Sequence, residues 1–456
     1  MPFRRSIPRA SLVLLAGDIF LAAIILYSVS LAGNGFLNPL DVRDGLSISF
    51  WLIVLAFNAY LFELYVPEVN YDAKHIFRRV TKSLFVSFVV FATISFLLPQ
   101  FIFGRLTLFS ALLFFGVGQF GWHVLFARFT YAPEFSQRIL VVGTGRLARK
   151  IGNLINSRNH KYYFVGFVEC GSEGRVISDE EIVGSSAMIC SIAEQKNANK
   201  IVVAVSDRRG RIPVKELLEC KMSGIDVMDA ATFFEMMNGK LMIDHLVPSA
   251  LIYSDGFRVN HTRKFFKRIV DICCALGLLV IVLPLLPLIA LLVKLDSSGP
   301  VLFGQKRVGE GARQFIVLKF RTMRTDAEKL SGAVWAKKDD PRCTRVGRFL
   351  RKSRLDELPQ LWNVLRGEMS FVGPRPERPE FVNELANAIP YYAKRHTVKP
   401  GITGWAQVSY AYGASVEDAY EKLSYDLYYI KHISVLFDMM IVLQTIRVVL
   451  FGRGSR

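Results

Sequence analysis

A segment rich in both acids and arginines offers the clearest chemistry in this sequence. In RKSRLDELPQLWNVLRGEMSFVGPRPERPE, residues 351–380, the adjacent acids Asp356 and Glu357 follow Arg351 and Arg354. Guanidinium groups bind phosphate oxygens in bidentate geometry, while a carboxylate can attack phosphorus or hold a divalent metal ion. Neighbouring residues of a helix point about 100° apart, so the two acids are expected to have different roles. The segment therefore indicates a phosphate-handling site with one nucleophile and one metal-binding or structural carboxylate.

The composition predicts that part of the chain lies in a membrane, and this part would help to position the acidic and basic segment. Hydrophobic residues make up 52% of the 456 residues, which is high for a purely soluble protein. The formal net charge of +18 fits an anionic membrane surface, anionic small substrates or nucleic acid as partners. Because long apolar segments are present, we expect membrane lipids and no nucleic acid.

Four apolar segments are long enough to cross a bilayer, which takes about 20 helical residues. They are residues 11–31, 48–66, 83–103 and 106–126. Lys and Arg are concentrated before the first, between the second and third, and after the fourth, so both ends should face the cytoplasm. Asp18 and Glu63 lie within these segments, where snorkelling or an interhelical hydrogen bond is expected. The sequence thus predicts a four-helix transmembrane bundle over residues 1–130.

A fifth apolar segment, residues 269–295, differs because basic residues flank it on both sides. Pro284 and Pro287 lie in it, and each lacks a backbone donor and clashes with the preceding turn, so the helix should bend. We therefore predict a re-entrant membrane helix over residues 263–295, which enters and leaves on the cytoplasmic side. The alternative is a proline-kinked fifth span, which would place Asp356 outside the cell.

A glycine-rich turn lies between the four-helix bundle and the re-entrant helix. RILVVGTGRLARKIGNLINS, residues 138–157, has the pattern of a strand, a turn with Gly143 and Gly145, and a helix. In G-x-G-x-x-A motifs the glycines allow a tight turn and close approach of a pyrophosphate to the helix N-terminus. With further strands expected over 163–168 and 200–205, we predict a Rossmann-like α/β domain. Nucleotide binding stays open, because many such folds use this turn only for packing.

This domain should cover residues 137–240 and be followed by a linker over 241–262. No CxxC pair and no zinc-like spacing with histidine occurs, so all six cysteines are expected to be free thiols in a reducing compartment. They are Cys170, Cys190, Cys220, Cys273, Cys274 and Cys343.

Two short strands, 301–307 and 315–320, are predicted after the re-entrant helix, joined by a turn at 309–311. Most of the basic side chains in this region are expected to face solvent or lipid headgroups. These residues are Lys306, Arg307, Arg313, Lys319, Arg321 and Arg324.

From about Lys264 to the C-terminus, the sequence resembles the bacterial sugar transferases, or monotopic phosphoglycosyl transferases. The resemblance rests on a membrane helix with Pro284, then GPVLFGQKRVG, FRTM, SRLDELPQLWNVLRGEMSFVGPRP, KPGITGWAQV and YDLYYI in that order. The four spans and the α/β domain further resemble the large members, which start exopolysaccharide and O-antigen synthesis. The resemblance implies a mixed α/β catalytic domain over residues 296–456.

The resemblance also implies a reaction and its participants. A sugar 1-phosphate passes from a UDP-sugar, with glucose or galactose the expected hexose, to undecaprenyl phosphate, and UMP is released. Asp356 attacks the β-phosphorus and carries the sugar phosphate, while Glu357 binds Mg²⁺, a hard cation that prefers oxygen ligands. The protein should lie in the bacterial inner membrane with its catalytic domain on the cytoplasmic face. A homodimer is left open.

Four further residues match positions of the family. Arg351 and Arg375 are implied to hold phosphate oxygens, and Asp426 and Asp438 match late acids that are linked to the active site. Asp438 lies in an apolar amphipathic stretch, so the alternative is an acid that faces water beside a membrane. Tyr428 and Tyr429 are expected to be interfacial aromatics.

The sequence departs from the family at two points and leaves two other functions open. Leu283 precedes Pro284 where relatives often have serine, and Ser409 and Tyr410 follow GWAQV where many have an arginine nearby. A membrane-bound nucleotide-sugar dehydratase or epimerase would need Tyr-x-x-x-Lys and a second glycine fingerprint, and the sequence contains no Tyr-x-x-x-Lys. The other alternative is a non-enzymatic membrane scaffold that senses a nucleotide.

Overall fold

A computed structural model gives the fold of most of the chain. It describes residues 9–32, 42–66, 72–97, 105–130, 137–157, 162–171, 175–205, 212–246, 256–257, 260–324, 340–410, 413 and 415–451. These residues belong to two compact units, which divide in the sequence between Phe233 and Phe234.

Four long apolar helices begin the first unit, as predicted. They are α1 (Arg9–Ala32), α2 (Val42–Leu61), α3 (Ala73–Leu97) and α4 (Arg105–Thr130). Each contains 18 to 24 consecutive residues that are apolar enough to cross a bilayer. The helices α2 and α3 begin earlier than the apolar segments do, because polar residues at their N-termini continue the helix. The α2 helix also ends earlier, since the chain turns at Glu63, which has a φ of 61°.

Two acids of these helices make the interhelical contacts expected from the sequence. Asp18 on α1 is buried and accepts a hydrogen bond of 2.6 Å from Gln119 Nε2 on α4. The Nε2 atom of His123, also on α4, lies 3.2 Å from both carboxylate oxygens of Asp18. Glu63, just after α2, accepts a 2.8 Å hydrogen bond from Arg79 on α3. Such contacts satisfy polar groups that apolar surroundings would otherwise leave unpaired.

A parallel sheet of five strands forms the rest of the first unit, in the spatial order β3-β2-β1-β4-β5. Its strands are β1 (Gln137–Val142), β2 (Tyr162–Glu169), β3 (Ile182–Ser185), β4 (Lys200–Val203) and β5 (Asp226–Asp229). The helices α5 (Arg146–Asn156), α6 (Ile189–Gln195) and α7 (Val214–Met222) connect them. The three strands predicted from the sequence correspond to β1, β2 and β4. The central strand β1 is fully buried from Ile139 to Val142, so the sheet has its core there.

The prediction that all six cysteines are free is wrong for one pair. Cys190 on α6 and Cys220 on α7 form a disulfide, with their Cα atoms 5.4 Å apart. The two helices pack against each other in the fold, although the cysteines are 30 residues apart in the sequence. A search for closely spaced cysteines cannot find such a pair. Among the described residues, the other four cysteines take part in no disulfide.

A bent pair of helices stands near the start of the second unit. The helix α8 (Ala230–Asn238) crosses the division between the units, and α9 (His261–Val282) and α10 (Leu285–Asp296) follow. The axes of α9 and α10 differ by 65°. Pro284 lies at the break, where the ring removes a backbone donor. Pro287 lies in the first turn of α10, where a backbone N–H has no partner within the helix.

The hairpin expected after this helix pair is present. Strands β6 (Leu302–Val308) and β7 (Gln314–Phe320) pair antiparallel, with Leu302 opposite Phe320. The rest of the second unit is mainly helical, with one short parallel strand pair, β8 and β9. Its elements are α11 (Arg345–Ser353), α12 (Gln360–Arg366), β8 (Ser370–Val372), α13 (Pro379–Ala388), β9 (Gly401–Thr403), α14 (Trp405–Ser409), α15 (Val416–Lys431) and α16 (Val435–Phe451).

Residues 234–246, which we call the α15 strap, pack on α15 within the second unit. Glu235 accepts hydrogen bonds from Lys431 at 2.7 Å and pairs with His432 at 2.6 Å. The backbone N–H of Leu241 donates to the carbonyl of Ser424 at 3.0 Å. The side chains of Leu241 and Ile243 are buried in the main core of this unit. The first residues of the predicted linker therefore belong to a packed surface.

Candidate active site

Asp356 and Glu357 lie on a single 3₁₀ turn, Leu355–Glu357, between α11 and α12. The turn follows Arg354, which ends α11 in the left-handed conformation with a φ of 60°. A left-handed residue reverses the chain sharply, so the two acids do not continue the surface of α11. Both acids are buried, with exposed fractions of 6% and 8%.

Basic side chains surround the Glu357 carboxylate. Its Oε1 atom accepts a 2.6 Å hydrogen bond from Arg375 Nη2 and one of 3.2 Å from Lys319 Nζ. Arg354 Nη1 lies 3.9 Å from the same oxygen. Burial alone would raise the pKa of Glu357, but Arg375 and Lys319 more than offset it and hold this pKa well below its usual range. Glu357 is therefore ionised and fixes the two cations beside Asp356.

Asp356 differs from its neighbour, because its Oδ1 atom is buried without a hydrogen-bond partner in the described part of the chain. Burial raises the pKa of Asp356 above its ordinary value, and the charge of Glu357 raises it further. Lys319, Arg351 and Arg375 oppose this rise, so cations surround the carboxylate without hydrogen-bonding Oδ1. An unpaired carboxylate oxygen in a cationic pocket can attack an electrophile that arrives as an anion.

Arg351 is held by the loop after β7, not by either acid. Its Nε atom donates to Thr322 Oγ1 at 3.0 Å, and its Nη1 atom donates to Cys343 Sγ at 3.0 Å. Its charge still lowers the pKa of Asp356. Of the two arginines predicted to hold phosphate, Arg375 contacts Glu357 directly, whereas Arg351 acts on Asp356 through its charge.

Lys319 is a site residue that sequence reasoning missed. Burial lowers the pKa of this lysine, which faces Glu357 from β7. The expectation that the basic residues of this region face solvent or headgroups is correct for Lys306, Arg313 and Arg324. It is wrong for Arg307, Lys319 and Arg321, which are partly or fully buried. The sequence signal that could have identified Lys319 as a site residue is its position directly before the FRTM motif.

Asp426 connects to the two acids through an arginine. It is buried on α15, and its Oδ2 atom lies 2.8 Å from Arg395 Nη2. The same Nη2 atom donates to the carbonyl oxygen of Arg375 at 3.0 Å. Burial raises the pKa of Asp426 to about 6, although the Arg395 charge opposes the rise. Asp426 therefore supports the backbone from which Arg375 reaches Glu357.

Asp438 belongs to a separate ion network. Its carboxylate lies 2.7 Å from Lys267 Nζ on α9 and accepts a 2.8 Å hydrogen bond from the Tyr429 hydroxyl on α15. Asp438 is only 2% exposed, so the alternative of an acid that faces water is wrong. The expectation that Tyr429 is an interfacial aromatic is also wrong, because its ring is buried in the core. Tyr428 is half-buried beside Trp405 and Phe437.

The glycine turn of the first unit is tightly packed. Gly143 has a φ of 124°, and a Cβ atom there would lie 2.7 Å from the carbonyl oxygen of Ala204. Gly145 precedes the first residue of α5. Close packing alone thus requires a glycine at position 143, which is the alternative left open by the sequence.

The arrangement of the acids near Arg375 shows which of them could bind a metal ion. Among the described residues, no group of three or more His, Cys, Asp or Glu side chains is arranged to hold a metal ion. Mg²⁺ is nevertheless often bound by one or two carboxylates, and substrate phosphates and water complete its coordination. Glu357 fits that substrate-dependent mode through the carboxylate oxygen that does not contact Arg375 and Lys319, which leaves Oδ1 of Asp356 unpaired.

The similarity to known proteins is concentrated in the second unit. Residues 262–452 match a family model described as bacterial sugar transferase. The UDP-N-acetylgalactosamine-undecaprenyl-phosphate N-acetylgalactosaminephosphotransferase of Aeromonas hydrophila is 43% identical over 240 residues, which cover 53% of this chain and 56% of the relative. The undecaprenyl-phosphate glucose phosphotransferase of Komagataeibacter xylinus is 34% identical over 337 residues, or 72% of this chain and 61% of the relative.

A shorter relative is matched almost completely. The exopolysaccharide production protein PSS of Rhizobium leguminosarum bv. phaseoli is 43% identical over 188 residues, which cover 40% of this chain and 92% of the relative. The chain thus spans somewhat more than half the length of the first two relatives and nearly all of the third.

Proposed function

Because the chain belongs to the bacterial sugar transferase family, we propose that it transfers a sugar 1-phosphate from a UDP-sugar to undecaprenyl phosphate and releases UMP. The names of the relatives, which include undecaprenyl-phosphate sugar phosphotransferases, support this reaction. They name N-acetylgalactosamine and glucose as the transferred sugars. For this chain we propose a hexose such as glucose or galactose, in the first membrane step of exopolysaccharide or O-antigen synthesis.

The observation that carries the proposal is the difference between the two adjacent acids. Glu357 is engaged by Arg375 and Lys319, whereas Oδ1 of Asp356 is buried and unpaired. A nucleophile must keep an oxygen free for the reacting phosphorus, and neighbouring cations must attract the diphosphate. Asp356 meets both requirements, so we assign it the attack and Glu357 the support.

The proposed reaction has two displacements at one phosphorus atom. In the first, a carboxylate oxygen of Asp356 bonds to the β-phosphorus, and the bond to the bridging oxygen breaks, so that UMP leaves with the electron pair. In the second, a phosphate oxygen of undecaprenyl phosphate bonds to the same phosphorus, and the bond to Asp356 breaks, which restores the carboxylate. Arg375 and Arg351 would offset the negative charge of the phosphoryl oxygens, while Lys319 supports Glu357.

The proposed cofactor is Mg²⁺, held by Glu357 together with diphosphate oxygens. When bound, the ion would neutralise negative charge on the diphosphate. Because Oε1 of Glu357 contacts both Arg375 and Lys319, binding of the metal would require the other oxygen or a shift of these cations.

We further propose that α9 and α10 form a re-entrant helix that holds the acids at the cytoplasmic face of the inner membrane. The 65° bend and a set of exposed apolar side chains support this placement. These side chains are Leu276, Val280, Ile281, Leu283, Leu288, Leu291 and Leu295. An impermeant thiol reagent should fail to label Arg313→Cys in intact cells, because that exposed hairpin position would be cytoplasmic. Labelling from outside would instead support a fifth span.

The sheet of the first unit is proposed to be Rossmann-like, since its strand order and parallel pairing are those of dinucleotide-binding folds. Nucleotide binding at Gly143 and Gly145 is a separate proposal, because close packing against Ala204 already accounts for Gly143. We also propose the predicted division of the chain into a transmembrane domain, the α/β domain, a linker, the re-entrant helix and the catalytic domain, except that the linker begins after the α15 strap.

A trapping experiment tests the reaction. The purified protein is incubated with UDP-glucose labelled in the β-phosphate, without lipid, and protein-bound label is measured. We expect label on the wild type and none on Asp356→Asn. The control Asp244→Asn changes an exposed acid of the α15 strap and should be labelled like the wild type. Equal labelling of Asp356→Asn would disprove covalent catalysis at this residue, and a panel of UDP-sugars in the same assay would identify the sugar.

A further inference from the structure

The loop that carries Arg375 is held at four successive carbonyl groups. The carbonyl oxygens of Pro374, Arg375, Pro376 and Glu377 accept hydrogen bonds of 2.9, 3.0, 3.0 and 3.0 Å from Gly401 N, Arg395 Nη2, Arg307 Nη1 and Val308 N, respectively. Two of the four donors are backbone groups of neighbouring strands. The other two are the guanidinium groups of Arg395 and Arg307.

The two prolines of this loop restrict how its backbone can be hydrogen-bonded. Pro374 and Pro376 flank Arg375, and neither proline has a backbone N–H. At these two positions the loop can be fixed only through its carbonyl groups. A guanidinium group has five N–H donors in a planar fork, so one arginine can hold a carbonyl while it bonds to other groups.

Arg395 is fully committed to contacts within the protein. Its side chain is 7% exposed and lies 2.8 Å from Asp426 Oδ2. Its Nη1 atom also donates to the Tyr392 hydroxyl at 2.6 Å. A soluble substrate cannot reach this guanidinium unless these contacts break. Its effect on the reaction must therefore pass through Arg375.

Arg307 holds the other side of the loop from β6. Its Nη2 and Nε atoms donate to Gln305 Oε1 at 2.6 and 3.1 Å, while Nη1 donates to the carbonyl of Pro376. Its side chain is 17% exposed, so a substitution there disturbs the core less than one at Arg395. Both arginines thus hold the two consecutive carbonyl groups that follow the Arg375 side chain, those of Arg375 and Pro376.

We propose that Arg395 and Arg307 are positioning residues that fix Arg375 for the phosphoryl transfer. This inference rests on the proposed function for its kinetic consequences. Arg375 Nη2 is placed 2.6 Å from Glu357 Oε1, beside Asp356. A displacement of about 1 Å in a substrate-positioning group can lower a rate by about 100-fold. Neither arginine needs to contact the substrate to have such an effect.

A double-mutant cycle tests whether Arg307 acts through Arg375. We compare Arg307→Gln, Arg375→Met and the double variant by their rate of UMP release at saturating UDP-sugar. Arg307→Gln should lower this rate by about 10- to 100-fold with little change in KM. In the Arg375→Met background the same substitution should have almost no further effect, because the residue it positions is gone. Additive losses, or a loss confined to KM, would overturn the inference.

Lysine variants and a control sharpen the test. Arg307→Lys and Arg395→Lys keep the charge but lack the fork, so the UMP release rate of both should be as low as that of Arg307→Gln. A wild-type rate in either lysine variant would indicate a direct charge effect instead. The control Arg313→Gln removes an exposed arginine of the same hairpin and should leave the rate unchanged.

Hydrogen exchange provides a readout that does not depend on the reaction. Backbone amides of residues 370–378 should exchange faster in Arg307→Gln and Arg395→Lys than in the wild type, and Arg313→Gln should match the wild type. Unchanged exchange in both variants would overturn the inference even if the protein catalyses another reaction. A wild type that releases no UMP, combined with faster exchange in the variants, would refute the proposed function and leave the loop contacts supported.

Discussion

Removal of Lys267 should destabilise the protein strongly, because this lysine is the cation of a buried network. Its Nζ atom lies 2.7 Å from Asp438 Oδ2 and 3.8 Å from Asp271 Oδ1, and the two acids are nearly inaccessible. The substitution Lys267→Met leaves both carboxylates buried without this cation. Breaking a buried ion pair in this way costs about 3–5 kcal/mol. For a unit of this size, that corresponds to a Tm lower by about 6–20 °C.

The same helix provides a matched control. Lys264 on α9 pairs with Glu310 at 3.4 Å, but its side chain is 56% exposed. An exposed pair contributes less than about 1 kcal/mol, so Lys264→Met should lower the Tm by less than about 4 °C. Thermal unfolding of purified protein in lipid nanodiscs, followed by tryptophan fluorescence, measures both shifts under one condition.

A charge-free pair separates stability from chemistry. Lys267→Met combined with Asp438→Leu removes the two closely paired charges, while Asp271 keeps its hydrogen bonds from Ser370 Oγ at 2.8 Å and Phe371 N at 2.9 Å. The Tyr429 hydroxyl keeps its 3.0 Å hydrogen bond to the carbonyl of Val372. We expect this double variant to recover most of the lost Tm and to release UMP. If Lys267→Met melts like the wild type, the electrostatic reasoning is wrong. If the double variant melts normally but releases no UMP, the Lys267–Asp438 pair takes part in the chemistry.

Two pH effects should also be measurable. Burial and the charge of Glu357 raise the pKa of Asp356, whose reactive form is ionised. Glu357→Gln should therefore move the acidic limb of the pH–rate profile for protein labelling to lower pH. An unchanged limb in a pH series would contradict this coupling. Burial lowers the pKa of His396 to about 4, whereas the unfolded chain binds this proton near pH 6.5. Acidification through this window therefore destabilises the fold by up to about 3 kcal/mol, and the Tm of His396→Gln should fall less between pH 7 and 5 than that of the wild type.

Local patterns predicted the elements and the central acids. The four apolar helices follow from runs of apolar residues, and the hairpin of β6 and β7 follows from two short apolar strands around glycines. Asp356 and Glu357 stand out because opposite charges are concentrated within a few residues. In each case the signal lies within one segment of the chain.

The supporting contacts could not be predicted, since their partners are far apart in the sequence. Lys267 and Asp438 are separated by 171 residues, and Arg307 and Pro376 by 69. Lys319 and Arg307 look like surface residues in a basic strand, and only the fold shows that acids or carbonyl groups face them. The burial of Tyr429 could not be predicted either, because nothing in YDLYYI indicates which tyrosine faces the core.

The α15 strap affects where this chain can be divided. The matched family region begins at residue 262, which is downstream of the strap. A catalytic fragment or a chimera joined at that residue would lose Leu241 and Ile243 from the core, and burial of each such side chain is worth about 1.5–3 kcal/mol. It would also remove Glu235 from Lys431 and His432 at the end of α15. A transplant that exchanges catalytic modules between long and short relatives should therefore begin upstream of Glu235, so that the module carries its own packing surface.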